Sequence, residues 1–224
     1  MTAARPNPLF QVGLDVQGRV CLVIGGGVEA QDKTGRLLDA GADVLLVSPG
    51  LTPALESLVK GGNLRARRRS YRPWDLDGVF LVMNTVRDSD LAERVFLAAE
   101  SRGTLVNTYD DLVHSHFGMA ALVCAGPLRV SISSSNASPT LSGQLRQDLE
   151  GMFDAEFGEF VEELGRARVQ LKERIPDFAT RRLVLRGLVE GFSLQGHVQL
   201  PGDWRRRIER ALTEASETGQ KKTR

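Results

Sequence analysis

Cysteine is scarce in this 224-residue chain, which has only Cys21 and Cys124, both in apolar runs and neither at metal-ligand spacing. That excludes a disulfide framework and a thiolate metal site, and it predicts two buried thiols. Charge of one sign is not in excess: 29 Lys and Arg against 28 Asp and Glu leave a formal charge of +1. A nucleic-acid partner would want a larger basic excess, and the one basic cluster, "RARRRSYR" from Arg65 to Arg72, reads as a strand with a solvated face, the alternative being a rim for an anionic substrate. No apolar run approaches the roughly 20 residues that span a bilayer, and no secretory signal precedes "LFQVGLDV". The expectation is a cytoplasmic protein without a membrane or nucleic-acid partner.

What is present begins with "VCLVIGGGVEAQDKTGRLLDAGADVLLVSP", Val20 to Pro49. A buried strand runs into Gly25, Gly26 and Gly27. A helix follows, with Ala30, Leu37, Leu38 and Ala40 on its apolar side and Gly41 where a left-handed residue ends it, and then comes a second strand. Strand, glycine turn, helix and strand make a right-handed βαβ unit. Glycines let a phosphate approach the main chain, and the N–H groups at the helix start, Val28 onward, point at negative charge. This predicts a dinucleotide cofactor, although a tight turn or close helix packing would also use such glycines. The acidic residue that would receive a ribose 2′-hydroxyl at the end of the second strand is missing. Ser48 and Pro49 stand there, so NAD and NADP are not separated at this position.

The alternation continues. "LTPALESLVKGG" reads as a helix, "NLRARRRSY" as a third strand, "GVFLVMNTV" as a fourth, "DSDLAERVFLAAESRG" as a helix and "TLVNTYDD" as a fifth strand. Gly25, Asn84, Thr85 and Asp110 all fall at carboxyl ends of strands, where doubly wound sheets bind ligands. Next come two strand-like runs around a Gly-Pro turn, then "SPTLSGQLRQDLE" as a helix capped by Ser138. A strand pair with one helix is too small to stand alone, which points to pairing with its own copy. After Gly151 only helical spacing persists, with Phe157, Phe160, Val161, Leu164, Ala167 and Leu171 expected as core, "PGDWRRRIERALTEA" as a last helix and "SETGQKKTR" as a disordered tail. The fold expected is α/β: a Rossmann-type doubly wound parallel sheet over residues 1–113, a dimerisation segment over 114–152 and a helical domain over 153–224.

These blocks resemble the precorrin-2 dehydrogenases, which include the dehydrogenase–ferrochelatase module of siroheme synthases. The pieces that carry the resemblance are "CLVIGGG" with Ala30 and Lys33, "RLLDAGADVLLVSP", "AAESRGTLVNTYDD" and "GPLRVSISSSNASPTLSGQLRQDLE". The resemblance implies NAD-dependent oxidation of precorrin-2 to sirohydrochlorin on a homodimer, followed in some members by Fe²⁺ insertion. It places the family's essential aspartate on Asp110, as acceptor of the proton lost with the hydride and of pyrrole N–H protons during chelation. It places cofactor contacts on Gly25, Gly26, Gly27, Val28, Ser48, Pro49, Asn84 and Thr85, substrate contacts on Asn107, Ser134, Ser135 and Asn136, and in one subgroup phosphorylation on the residue matching Ser134. Asp110 has an alternative reading as a turn residue, and Ser133 to Ser135 one as a strand end with local backbone bonds.

Some positions depart from the family pattern. Asp32 stands before Lys33 where arginine is usual, Arg87 ends the segment after the fourth strand, Ser135-Asn136 replace two glycines, and Gly118-Met119-Ala120-Ala121 lacks a proline. Fold survives such changes more readily than activity. A non-catalytic dinucleotide- or tetrapyrrole-binding relative is therefore the second class in view. His114 and His116, two apart, would share a face if on a strand and could then handle a transition ion such as Fe²⁺ or Co²⁺, but no third ligand accompanies them; the reading set against this is of exposed or hydrogen-bonded loop histidines, and no bound metal is expected. His197 reads as a surface loop residue.

Overall fold

The computed structural model describes residues 9–135, 137–196, 198, 200, 203, 206–208 and 210. Asn136, His197, the tail and most of the expected last helix lie outside the described residues. The chain divides into two compact units, 1–162 and 163–224.

Five parallel strands make the sheet of the first unit: β1 (Val20–Ile24), β2 (Asp43–Val47), β3 (Arg65–Arg67), β4 (Leu81–Asn84) and β5 (Leu105–Thr108), in the order β3-β2-β1-β4-β5. Three helices connect them: α1 (Val28–Asp39), α2 (Pro53–Lys60) and α3 (Ser89–Glu100). β1 lies at the centre because it is apolar throughout: Cys21 and Val23 join one buried cluster with Leu46, Leu55 and Met83, while Leu22 and Ile24 join the other with Val47, Val82, Val95 and Val106. Alternate residues of one strand thus supply the cores on both faces, as in parallel sheets covered by helices. Thr52 caps α2 and Asp88 caps α3, each accepting a backbone N–H three residues on. Gly41 is left-handed at φ 77°, as the helix-end pattern requires.

The antiparallel hairpin β6 (Ala121–Ala125) and β7 (Leu128–Ile132) follows, joined by Gly126-Pro127 and covered by α4 (Pro139–Glu150). Ser138 accepts from the Leu141 N–H, so the expected cap is present. Gly158, near the start of α5 (Ala155–Arg174), meets the hairpin turn backbone to backbone: a Cβ on Gly126 would lie 2.7 Å from the Gly158 carbonyl oxygen. The second unit contains most of α5 and α6 (Phe178–Gly187), which Asp177 caps.

Four expectations need correction. The third strand is three residues long rather than running from 63 to 71, because Asp75, fully buried, draws the basic run away from the sheet. Arg67 and Arg69 both pair with its carboxylate, Arg69 through bonds of 2.7 and 2.6 Å, and the Arg72 N–H donates to it at 2.9 Å. Arg68 pairs with Glu56. The run is therefore an anchor as well as a solvated face. Cys21 is buried, its thiol pushed up to about 11 by burial, but Cys124 is exposed, since the strand period turns it away from the α4-covered face that holds Val123 and Ala125. Of the two readings of His114 and His116 the strand face falls: both sit in a loop with hydrogen-bonded rings. The expected core positions of α5 make only a half-covered face: Phe160 is 36% exposed and Gly158 is the buried residue of that helix. Helical spacing reports a face and leaves its partner unspecified.

Asp75 gives a pH-dependent test. Burial alone would raise its pKa, but the bonds from Arg69, the Arg72 N–H and Arg67 together outweigh that and hold it below the usual carboxylate value. A depressed native pKa stabilises the fold above the unfolded value of about 3.9, and this contribution is lost as pH falls through that region toward the native value. Asp75→Ala is expected to destabilise the fold by about 2 kcal/mol near neutral pH, the scale of lost charge-assisted bonds. The variant should also show a shallower loss of stability with acid than the parent below about pH 4, measured by urea unfolding.

Candidate functional site

The sheet order reverses between β1 and β4, and the carboxyl ends of these strands open the crevice where doubly wound sheets hold ligands. The three glycines there do different work. Gly25 is left-handed at φ 113°, and a Cβ on it would lie 2.3 Å from Thr85 Oγ1, whose hydroxyl donates to the Ile24 carbonyl at 2.8 Å. At Gly26 a Cβ would lie 1.8 Å from the Gly50 carbonyl oxygen. The Gly26 oxygen in turn accepts from the Thr52 N–H at 2.9 Å. The close approach at these two glycines is made by the chain itself.

Gly27 is different: no atom lies within 4 Å of its would-be Cβ. It is the N-cap of α1 and offers no capping side chain, whereas α2, α3, α4 and α6 each have one. The first N–H groups of α1 are left for something else. Val28 is 76% exposed at the first helical position. Ser48 is buried and donates to the Gly50 carbonyl at 2.7 Å, beside the exposed Pro49. On the other side of the switch point Asn84 and Thr108 are partners in register at the ends of β4 and β5. Both are buried, and Asn84 Nδ2 and Thr108 Oγ1 have no hydrogen-bond partner among the described residues. Two unmatched polar atoms side by side at a strand terminus are costly unless a ligand or water meets them. An uncapped helix start, open space over Gly27 and the Asn84 amide together fit a dinucleotide.

Asp110 follows β5, exposed and left-handed at φ 57°, a conformation that costs a non-glycine residue energy. The residues around it hold that conformation. Tyr109 N–H donates to the Asn84 carbonyl at 2.8 Å, and Ser115 Oγ accepts from the Thr108 N–H at 2.8 Å while donating to the Asp111 carbonyl. Asp111, the neighbour of Asp110, has a structural part. Its carboxylate accepts the His114 N–H at 3.1 Å and lies 2.6 Å from His114 Nδ1, and the His114 ring bond leads the interactions that hold its pKa below the usual range. His116 Nδ1 accepts from the Val106 N–H at 3.2 Å and its Nε2 pairs with Glu100, while both imidazoles pack on Phe96. These histidines staple the loop to the sheet, and among the described residues no group of His, Cys, Asp and Glu is placed to hold a metal ion.

The expected substrate contacts are placed apart. Asn107 donates through Nδ2 to the Phe117 carbonyl at 2.8 Å, fastening the segment after β5. Ser134 Oγ accepts from the Ser138 N–H at 3.0 Å, and Ser135 is left-handed at φ 48°. No hydrogen bond joins this turn to the Asp110 loop among the described residues. Two members of the site escaped sequence reasoning, Ser115 and Thr108; a lone serine or threonine beside a strand leaves no pattern that marks it.

A family model for NAD(P)-binding domains matches residues 12–121. The siroheme synthase of Zymomonas mobilis is 34% identical over 197 residues, 88% of this chain and 41% of that protein. Siroheme synthase 1 of Serratia proteamaculans is 37% identical over 175 residues, 78% of this chain and 36% of that one. The chain spans about two fifths of the length of these curated relatives. Among solved structures, that of "SirC, precorrin-2 dehydrogenase" superposes with a TM-score of 0.70 at 24% identity, covering 82% of this chain and 90% of that one, and supports the fold.

The contrast between glycines is testable. Gly26→Val is expected to lower the thermal midpoint sharply, because its Cβ has no space beside Gly50. Gly27→Val should cost at most about 1 kcal/mol, the scale of a poorer N-cap, yet weaken NAD binding by roughly tenfold or more in titration calorimetry. Equal NAD affinity in parent and Gly27→Val would remove the dinucleotide from this turn.

Proposed function

The chain belongs to the siroheme synthase family over the part of those proteins that it spans, and from that premise we propose that it oxidises precorrin-2 to sirohydrochlorin with NAD. The observation that carries this reading is the pairing, on one sheet edge, of an open uncapped helix start at Gly27 with a carboxylate held out by strained backbone at Asp110. The N–H groups from Val28 onward would meet the pyrophosphate, Ser48 and Pro49 the adenosine side, and Asn84 with Thr85 the nicotinamide side. NAD⁺, when bound, takes up the hydride removed from the reduced tetrapyrrole. Asp110 accepts the proton that leaves with it, so the substrate loses two hydrogens and stays otherwise intact. Asp110 is exposed, its left-handed backbone turning it off the end of β5, which supports this role, while Asp111 is occupied by His114. Asn107, Ser134, Ser135 and Asn136 are assigned to the substrate, Ser134 through a hydroxyl that the Ser138 N–H holds. If Fe²⁺ or Co²⁺ is inserted afterwards, the same carboxylate draws the pyrrole protons while the substrate's own nitrogens receive the metal.

The working unit in this reading is a homodimer. The two-stranded β6–β7 sheet has no further strand beside it among the described residues, and Leu141 of α4, Val169 of α5 and Phe178 and Leu183 of α6 are exposed. A second copy would cover such surfaces. No helix among the described residues is long and apolar enough to cross a membrane.

Purified protein with precorrin-2 should reduce NAD, followed at 340 nm. NAD binding without reduction would mark a binding-only relative. Asp110→Asn should keep NAD affinity and dimer mass but lose about 10²–10⁴-fold in rate, the contribution of a positioned general base, with any chelation falling in parallel. Asp111→Asn should cost much less, since an amide oxygen still accepts the His114 N–H. Rates within threefold of the parent for a folded Asp110→Asn variant would reject the assignment. Light scattering at micromolar concentration should give twice the chain mass, and a monomeric mass would reject the dimer.

A further inference from the structure

We propose that Arg87 is a substrate-selecting residue that binds a peripheral carboxylate of the tetrapyrrole; this rests on the reading of the substrate as precorrin-2. Arg87 lies in the exposed segment between β4 and α3, where the sequence departs from the family pattern. Its guanidinium lies over the Tyr109 ring, 4.9 Å from the centroid, and Nη2 donates to the Tyr109 hydroxyl at 3.2 Å. Tyr109 directly precedes Asp110, and its own N–H is tied to the Asn84 carbonyl. The cation is thus mounted on the residue that adjoins the proton acceptor, and its position follows from the same strand ends.

Arg36, Arg65, Arg67, Arg68, Arg69 and Arg102 are each tied to a carboxylate of the fold. Arg87 has no carboxylate at ion-pair distance among the described residues. Its bond to Tyr109 above all, with smaller contributions from the fields of Asp110 and Glu29, favours its charged form. Stacking on the ring and one bond to a hydroxyl leave other N–H donors of the fork facing solvent, and a planar guanidinium held in one orientation matches a carboxylate through two parallel bonds. Precorrin-2 carries acetate and propionate arms around its rim, so an arm held at Arg87 places the edge of the macrocycle toward Asp110. A pyrophosphate is the other anion in the crevice, but its expected seat is the start of α1 after β1, whereas Arg87 leans on the residue after β5.

The contact is made by a part of the substrate that does not react, so it contributes to binding of ground and transition states alike. Arg87→Ala is expected to raise KM for precorrin-2 by roughly tenfold or more, the scale of one charge-assisted contact, with kcat within threefold and NAD affinity unchanged. Arg87→Lys, which keeps the charge but loses the planar fork, should recover part of this. Titrating sirohydrochlorin into parent and variants, read by its absorbance, separates this proposal from the catalytic reading. Weaker sirohydrochlorin binding by Arg87→Ala supports the anchor even if the parent fails to reduce NAD. Unchanged sirohydrochlorin binding and KM would overturn it, as would no binding to the parent, or a loss confined to NAD affinity, which would make Arg87 a phosphate contact. The side chain is exposed, so thermal midpoints of the variants should match the parent.

Discussion

Three stretches of backbone meet at the end of β1 with no room for a side chain between them. Gly25 faces the Thr85 hydroxyl just after β4, and Gly26 faces the carbonyl of Gly50 from the turn after β2. The arrangement of the crevice rests on this contact. It holds the β2–α2 turn against the β1–α1 turn, fixes where α1 begins, and leaves open space over Gly27 at the uncapped start of that helix. Glycine here satisfies packing at two of the three positions, and the third, Gly27, meets no neighbouring atom.

The opposite wall is organised by hydrogen bonds. Asp110 is held in a left-handed conformation that no turn glycine relieves, and Ser115, Asp111 and His114 supply the bonds that compensate. Strain of this kind persists where the surroundings over-determine it. A carboxylate turned outward in this way can reach a substrate, while its neighbour Asp111 is occupied with loop structure. Adjacent aspartates thus differ in their surroundings: Asp111 is paired with His114, and Asp110 is exposed. Arg87 on Tyr109 adds a positive group to the same wall.

Charge elsewhere serves the fold. The arginines from 67 to 69 could have formed a rim for an anionic substrate, but Asp75, inaccessible to solvent, and Glu56 take them. A buried carboxylate with several donors is tolerated because its lone pairs are met, and it fixes the path of the chain between β3 and β4. A basic run in sequence shows only that countercharges or solvent must be near.

The sequence alone determined the parallel sheet. Apolar runs of strand length, helical periodicity between them, the N-cap at Ser138 and Gly41 at a helix end are local signals, and they read correctly because helix capping and periodicity depend on neighbours a few residues away. The placement of Gly25, Asn84, Thr85 and Asp110 on one edge followed from the alternation itself, since parallel strands align their carboxyl ends. Tertiary structure decided what those residues face. That Gly26 meets Gly50, that Asp75 shortens β3, that Cys124 turns outward, that His114 and His116 staple a loop and that α5 presents a half-covered face all depend on atoms distant in sequence. A period or a motif fixes a direction along one element, whereas a contact needs the position of a second element, and that is set by packing of the whole sheet.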